Sequence, residues 1–196
     1  MVLVGVLKTV SEELIRMAVS LGLADLGENR VQEAEGHIGA VGREAARWHM
    51  IGHLQRNKAG RAVELFDRVH GVDSAELAEA LSRRAVAAGR RLPVMVEVNV
   101  SGEATKFGVA PQAVVGLLER VAALPGLELD GLMTVGAPLG NAGEARPGFA
   151  RLRALRDAGE RALGLGLPEL SMGMSGDFEV AVEEGATMVR VGSALF

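Results

Sequence analysis

The sequence predicts an α/β fold, a single (β/α)8 barrel of TIM type, on three observations. Short Val/Leu/Met-rich runs alternate with longer segments of helical periodicity about eight times along the 196 residues. No hairpin-type turn pairs separate successive runs, so the strands are expected to be parallel and joined by crossover helices. No linker-like tract divides the chain, which makes residues 1–196 one domain. A doubly wound open sheet is the alternative arrangement of the same units, since 196 residues is short for a barrel.

Residues 2–8 are branched and apolar and too few for a core helix, so they read as strand one. Thr9 and Glu12 then have the spacing of a capping box, with a helix on Val10, Leu14, Ala18 and Leu21 that Gly22 ends. Residues 23–26 form a weaker second strand before Gly27-Glu28-Asn29, with a helix from about Val31. Residues 47–51 are strand three and residues 55–66 its helix. Residues 68–72 are strand four, followed by a helix capped by Asp73 or Ser74 that buries Leu77, Leu81 and Ala85. Residues 93–100 make the clearest strand, and Pro111 suits the first turn of the helix carrying Val114, Leu117, Leu118 and Val121. Residues 127–135 are strand six, residues 136–148 its Gly/Pro-rich loop, and Phe149, Leu152 and Leu155 begin its helix. Residues 169–172 are strand seven, with a short helix opened by Ser175 and Gly176 and ended by Gly185. Residues 187–191 are strand eight. No helix follows it and none precedes strand one, so one place in the ring of helices is open.

Composition narrows the function. Twenty-one Lys and Arg against 25 Asp and Glu give a net charge of −4, which argues against nucleic acid as a partner. The chain has no Cys, hence no disulfide framework, thiolate nucleophile or Cys-based zinc site, in keeping with a reducing compartment. Apolar runs are too short for a membrane span, and residues 2–7 lead into Lys8 without the flanks of a signal peptide. A cytoplasmic protein that binds no membrane is expected. Low aromatic content and the acidic balance point to a monomer.

In a (β/α)8 barrel the site lies at the C-terminal strand ends. Lys8 ends strand one after six nearly continuous apolar residues, where desolvation would lower its pKa and favour the neutral amine a Schiff base needs. Ser175, Gly176, Gly192 and Ser193 supply small residues after strands seven and eight, the usual phosphate seat of this fold. Asn29, His53, Asp73, Asn99, Ser101, Thr134, Ser171 and Arg190 are the other polar residues at strand ends. His49 and His53, four residues apart on a strand-like segment, would lie roughly 13 Å from one another, too far for one metal ion. Arg83-Arg84 and Arg90-Arg91 read as solvated surface.

Several segments together are similar to the pyridoxal phosphate homeostasis protein family. They are Gly5-Val6-Leu7-Lys8-Thr9, Gly27-Glu28-Asn29-Arg30, Trp48-His49-Met50-Ile51-Gly52-His53, and Val98-Asn99-Val100-Ser101-Gly102-Glu103 with Lys106-Phe107-Gly108. Gly131-Leu132-Met133-Thr134, Ser171-Met172-Gly173-Met174-Ser175-Gly176-Asp177 and Met188-Val189-Arg190-Val191-Gly192-Ser193 complete the match in order. The resemblance implies a barrel like the N-terminal domain of alanine racemase, carrying pyridoxal 5′-phosphate (PLP) as a Schiff base on Lys8. It also implies that Ser175, Gly192 and Ser193 bind the phosphate, Arg190 faces the pyridine nitrogen, Asn29 lies near the ring hydroxyl and Met172 lines the pocket.

Arginine cannot accept a proton and disfavours the pyridinium that carbanion chemistry wants. The chain also has no Tyr to serve as a second acid–base group. A non-catalytic PLP carrier or buffer is therefore expected, with PLP-dependent apo-enzymes as candidate recipients. A weak amino-acid racemase and a Schiff-base aldolase are the alternatives, and a bound chromophore separates the aldolase from the other two. Val10 stands where many relatives carry a second lysine, leaving Lys106 as a surface acceptor. Members of the family usually carry a helix before strand one. Exposed apolar surface is expected at that edge here, with lower thermal stability than a version bearing such a helix.

Overall fold

The computed structural model describes residues 1–103, 105–136 and 142–196. Eight parallel strands close in sequence order, with β8 pairing back onto β1. They are β1 (Val2–Val6), β2 (Asp25–Glu28), β3 (Arg47–Met50), β4 (Arg68–Val72), β5 (Leu92–Glu97), β6 (Leu127–Met133), β7 (Glu169–Ser171) and β8 (Met188–Val191). The helices between them are α1 (Glu12–Ser20), α2 (Val31–Val41), α3 (Ala59–Leu65), α4 (Ala75–Ala87), α5 (Val114–Ala122), α6 (Ala142–Leu163) and α7 (Phe178–Glu183). No described helix is long and apolar enough to cross a membrane.

Alternation along the strands sorts side chains onto two faces. Leu26, Trp48, Val69, Val94, Val96, Leu132, Leu170, Val189 and Val191 point outward into the main core, against α-helical residues such as Ile15, Leu81, Leu118 and Leu152. Their neighbours point into the barrel, where Met95, Met133 and Met188 form a separate apolar cluster with Val2. Asp25, His49, His70, Glu97, Ser171 and Arg190 are polar residues buried on these same strands. The barrel interior is therefore apolar in one layer and charged and hydrogen-bonded in another.

Several elements differ from the sequence reading, each for a local reason. Thr9 does not cap α1. Ser11 does, accepting the N–H of Leu14 at 3.4 Å, while Thr9 takes φ +64° in a turn closed by the Val10 N–H to the Leu7 carbonyl. Strand two begins later than expected, at Asp25, because its pairs are set by Val4 opposite Asp25 and Val6 opposite Gly27. The fifth strand stops at Glu97. Beyond it Val98 makes an isolated bridge to Val109, and Asn99 Oδ1 accepts the Gly102 N–H at 2.9 Å, which turns the chain into a loop.

The helix after β3 opens with a 3-10 turn at Arg56–Lys58. Of the loop expected over 136–148, residues 137–141 lie outside the described residues, and α6 already runs from Ala142. Ion pairs from Arg146 to Glu183 and Glu184, and from Arg153 to Glu184 at 3.1 Å, hold its first turns against α7. Pro147, the sixth residue of α6, lies inside the helix and contributes no backbone N–H to its ladder. Arg90 is not free surface, because it donates to the carbonyls of Val63 and Phe66 at 2.6 and 3.0 Å.

No helix follows β8, and residues 193–195 form a turn. Beside it an apolar groove of about 630 Å³ opens between β1 and α1, lined by Leu3, Leu14, Met17, Leu21, Leu23 and Leu195 among others. Along this groove Leu21 is 82% exposed and Met17 57%.

Thr9 is the only described non-glycine residue with positive φ. A β-branched residue in that region carries backbone strain of roughly 1–3 kcal/mol. Thr9→Gly is expected to raise the thermal midpoint by a few degrees, about 1 kcal/mol after glycine's own entropic cost. A midpoint unchanged or lowered in calorimetry would show that the Thr9 Oγ1 bond to the Lys8 carbonyl, 2.6 Å, outweighs the strain.

Candidate cofactor site

The β1 registers bring the site together. Val6 pairs with Gly27 and Gly5 with Val191, so the segments carrying Lys8, Asn29 and Gly192-Ser193 leave three neighbouring strands at the same end of the barrel. A Cβ at Gly192 would sit 3.4 Å from that of Val6, an ordinary van der Waals contact. Lys8 shares the alternation of Val2, Val4 and Val6 and tops that column. It is exposed, however, so the desolvation expected from the apolar run before it is absent. The turn at Thr9 lifts Lys8 out of the strand and onto the rim.

Ser175 reaches the same place from β7. Its Oγ accepts the N–H groups of Gly192 and Ala194 at 3.2 and 3.3 Å. Two backbone donors thus converge on one hydroxyl at the C-terminal end of β8. Neither Ser175 nor Gly176 starts a helix. They belong to a turn, and α7 begins at Phe178 with Asp177 at its N-cap position, where the Asp177 carboxylate takes the Met174 N–H at 2.6 Å. The seat is built from the β8 loop and a hydroxyl rather than from a helix end. Ser193 is exposed in the same turn.

Asn29 is half-buried at the lip of a polar cavity of about 450 Å³ shared with Arg30, His53, Gln55 and Lys58. Its backbone position is locked by Gly52, where a Cβ would fall 2.4 Å from the Asn29 carbonyl oxygen. Met172 is fully buried in the main core, so its side chain supports the strand-seven loop from behind instead of lining an opening. Lys106 is tied to Glu103 at 2.8 Å and to the Gly136 carbonyl at 3.2 Å.

Arg190 lies one layer deeper, its Cα paired with Val4. Only 3% exposed, it donates from Nη1 to Ser171 Oγ at 2.7 Å and from Nη2 to the Thr134 carbonyl at 2.8 Å. Burial pulls it down to about 10, against the opposing charges of Glu97 and Asp177, and it stays a cation at neutral pH. Glu97, at the end of β5, is 4% exposed, and its Oε2 has no hydrogen-bond partner among the described residues. Burial and the Asp73 charge push its carboxyl up to about 7, although Arg190 pulls the other way.

The histidines divide between different partners. His53 pairs with Asp73 at 3.1 Å and stacks on Phe107, while His49 faces inward to Asp25 and His70. No group of three or more His, Cys, Asp or Glu among the described residues could hold a metal ion. His70 and Glu97 did not emerge from the sequence as site residues. The available signals were the Arg-x-His pattern shared by residues 47–49 and 68–70, and a lone carboxylate inside the apolar run of β5.

Comparison with known proteins identifies the family. The family described as alanine racemase, N-terminal domain, matches residues 3–196. The protein of Aquifex aeolicus named Pyridoxal phosphate homeostasis protein is 44% identical over 99% of this chain and 85% of its own length. A protein of the same name from Pseudomonas aeruginosa is also 44% identical, over 99% of this chain and 83% of its own. Among solved structures, PipY of Synechococcus elongatus with PLP bound superposes at a TM-score of 0.91 with 40% identity, covering 99% of this chain and 91% of that one. Alanine racemase from Corynebacterium glutamicum shares the fold at a TM-score of 0.81 and 19% identity, over 100% of this chain and 55% of that one. With the barrel fold and these relatives in agreement, the chain belongs to the alanine racemase N-terminal-domain family and, within it, to the pyridoxal phosphate homeostasis proteins.

Proposed function

We propose that this chain, residues 1–196 acting as one barrel domain, is a non-catalytic PLP-binding protein of PLP homeostasis. PLP supplies an aldehyde that condenses with a lysine amine, releasing water, and a phosphate that needs N–H donors. The residues present fit both demands. Lys8 offers an exposed amine, and beside it the N–H groups of Gly192 and Ala194 converge on Ser175 Oγ. Ser193 adds a second hydroxyl at the phosphate, and Asn29 serves the ring hydroxyl from the opposite side of Lys8. Met172 backs this wall from the core.

The observation that carries the non-catalytic reading is Arg190. It is buried, cationic and anchored by two hydrogen bonds on its barrel side, so a ring nitrogen facing it meets a donor that cannot take up a proton. Without a protonated ring, the electron sink that racemisation or aldol cleavage draws on is weak. An open rim suits capture and release, with the cytoplasm as the setting, apo-enzymes as recipients and the monomer as the working unit.

The test is the visible spectrum of the purified protein with PLP, before and after borohydride. Wild type is expected to show a yellow band that borohydride fixes covalently, and Lys8→Ala to lose the covalent adduct entirely. A protein that stays colourless with added PLP would overturn the reading.

A further inference from the structure

A hydrogen-bonded chain crosses the barrel interior from the site to the opposite end. Arg190 Nη1 meets Ser171 Oγ at 2.7 Å, and Ser171 Oγ meets His70 Nδ1 at 2.9 Å. His70 Nε2 meets His49 Nδ1 at 2.9 Å, and His49 Nε2 meets Asp25 Oδ1 at 2.9 Å. Asp25 is also gripped by Arg47 through Nε at 2.7 Å and Nη2 at 2.6 Å. All five members of the chain are buried, and they come from β8, β7, β4, β3 and β2 in turn.

The two ends fix the direction. Arginine only donates, so Ser171 Oγ accepts from Arg190 and passes its own hydrogen to His70 Nδ1. His70 then carries its hydrogen on Nε2 and donates to His49 Nδ1. His49 in turn carries its hydrogen on Nε2 and donates to Asp25, a carboxylate that only accepts. Burial pushes the Asp25 carboxyl up, but the His49 and Arg47 hydrogen bonds outweigh it and hold the group well below its ordinary range.

Reversing the histidine link would place a hydrogen on His70 Nδ1. Ser171 would then face two donors, with its own hydrogen unmatched among the described residues. An unmatched polar group in a site with 0% exposure costs roughly 1–3 kcal/mol. His70 also resists a second proton, because burial above all, and then the nearby charges of Arg190 and Arg68, lower its pKa well below the ordinary value.

We propose that Ser171, His70, His49 and Asp25 are positioning residues for Arg190, forming a one-way chain that aims its guanidinium into the pocket and offers the ring nitrogen of bound PLP no proton. The statement about the ring nitrogen rests on the PLP reading above, whereas the chain itself does not. Each hydrogen in it points away from the pocket, toward Asp25. The donor nearest the pocket is an arginine, which has nothing to relay. Two tautomers locked by their neighbours hold the guanidinium more firmly than a single serine would, as hydrogen bonds behind a functional group commonly do.

The test has a part that needs no PLP. In ¹⁵N NMR of the protein alone, His49 and His70 are both expected as Nε2–H tautomers with unprotonated Nδ1. In Ser171→Ala, the Arg190 guanidinium hydrogens are expected to exchange about tenfold faster than in wild type. Ser171→Thr, which keeps the hydroxyl, should restore the wild-type rate. With PLP labelled at the ring nitrogen, the ¹⁵N signal should lie at the unprotonated position in wild type and move toward pyridinium in Ser171→Ala, while borohydride still traps PLP on Lys8.

A hydrogen on Nδ1 of either histidine would overturn the proposal, as would unchanged Arg190 exchange in a folded Ser171→Ala. If Ser171→Ala does not fold, Asp25→Asn takes its place at the far end, with the same acceleration expected and unchanged exchange again decisive. If wild type takes up no PLP, the functional reading falls, and the tautomers and exchange rates still decide the chain.

Discussion

Glu97→Gln is expected to make the protein more stable above neutral pH and to leave it nearly unchanged at pH 5. The Glu97 carboxyl, ordinarily near 4.5, is pushed up to about 7 by burial and by Asp73. Its folded pKa therefore exceeds its unfolded one, and the folded state binds more protons between those two values. Linkage then makes stability fall as pH rises through that window. The neutral carboxyl costs nothing extra below about 4.5, and the charged one is a burden of about 3 kcal/mol above 7, at 1.36 kcal/mol per unit. The glutamine amide keeps the shape and drops the charge. Calorimetry across pH 5 to 8.5 should show the variant's advantage opening with pH, to roughly 6–12 °C at the alkaline end. Parallel curves for the two proteins would mean that Glu97 does not carry this burden.

Gly52→Ala is expected to cost about 3 kcal/mol and to weaken PLP binding as well. A Cβ at residue 52 would lie 2.4 Å from the Asn29 carbonyl oxygen and 2.9 Å from its Cα. Both are backbone atoms of the loop that follows β2, so no side chain can rotate out of the way. Relief must come from moving the Asn29 loop, which stands beside Lys8. Unfolding and PLP titration measured on the same sample separate the two effects. Gly36→Ala, where nothing lies within 4 Å, is the control: it should leave PLP binding unchanged and, inside α2, raise stability by about 1 kcal/mol. If Gly52→Ala loses stability but binds PLP as wild type does, Asn29 has no part in the site.

Much of the fold was legible because it depends on local periodicity. The runs at residues 68–72 and 127–133 carry outward residues on one face and inward residues on the other, and hairpin turns are missing between them. Strand ends were less legible. Asn99 and Thr9 both sit where a hydrogen bond to a neighbouring turn, not propensity, ends or begins an element. The cap moved from Thr9 to Ser11 for the same reason, since either hydroxyl could have served by residue type alone.

Within the proposed site, Lys8, Ser175, Gly192 and Arg190 could be read from position at the strand ends and from small residues where a phosphate would approach. Those features are properties of the chain itself, fixed by where apolar runs stop. His70 and Glu97 could not be placed in the same way. Whether a histidine in Arg-Val-His-Gly is a packed core residue or a link to an arginine 120 residues away depends on which strands become neighbours across the barrel.

The sequence by itself determined the alternation of strands and helices, the order in which the barrel closes and the lysine at its rim. Only the tertiary structure decided that Lys8 is exposed, that Glu97 is buried with its Oε2 unpartnered among the described residues and that Arg190 is anchored. Exposure, burial and hydrogen-bond direction are set by neighbours distant in sequence, and closing eight strands into a ring is what makes them neighbours.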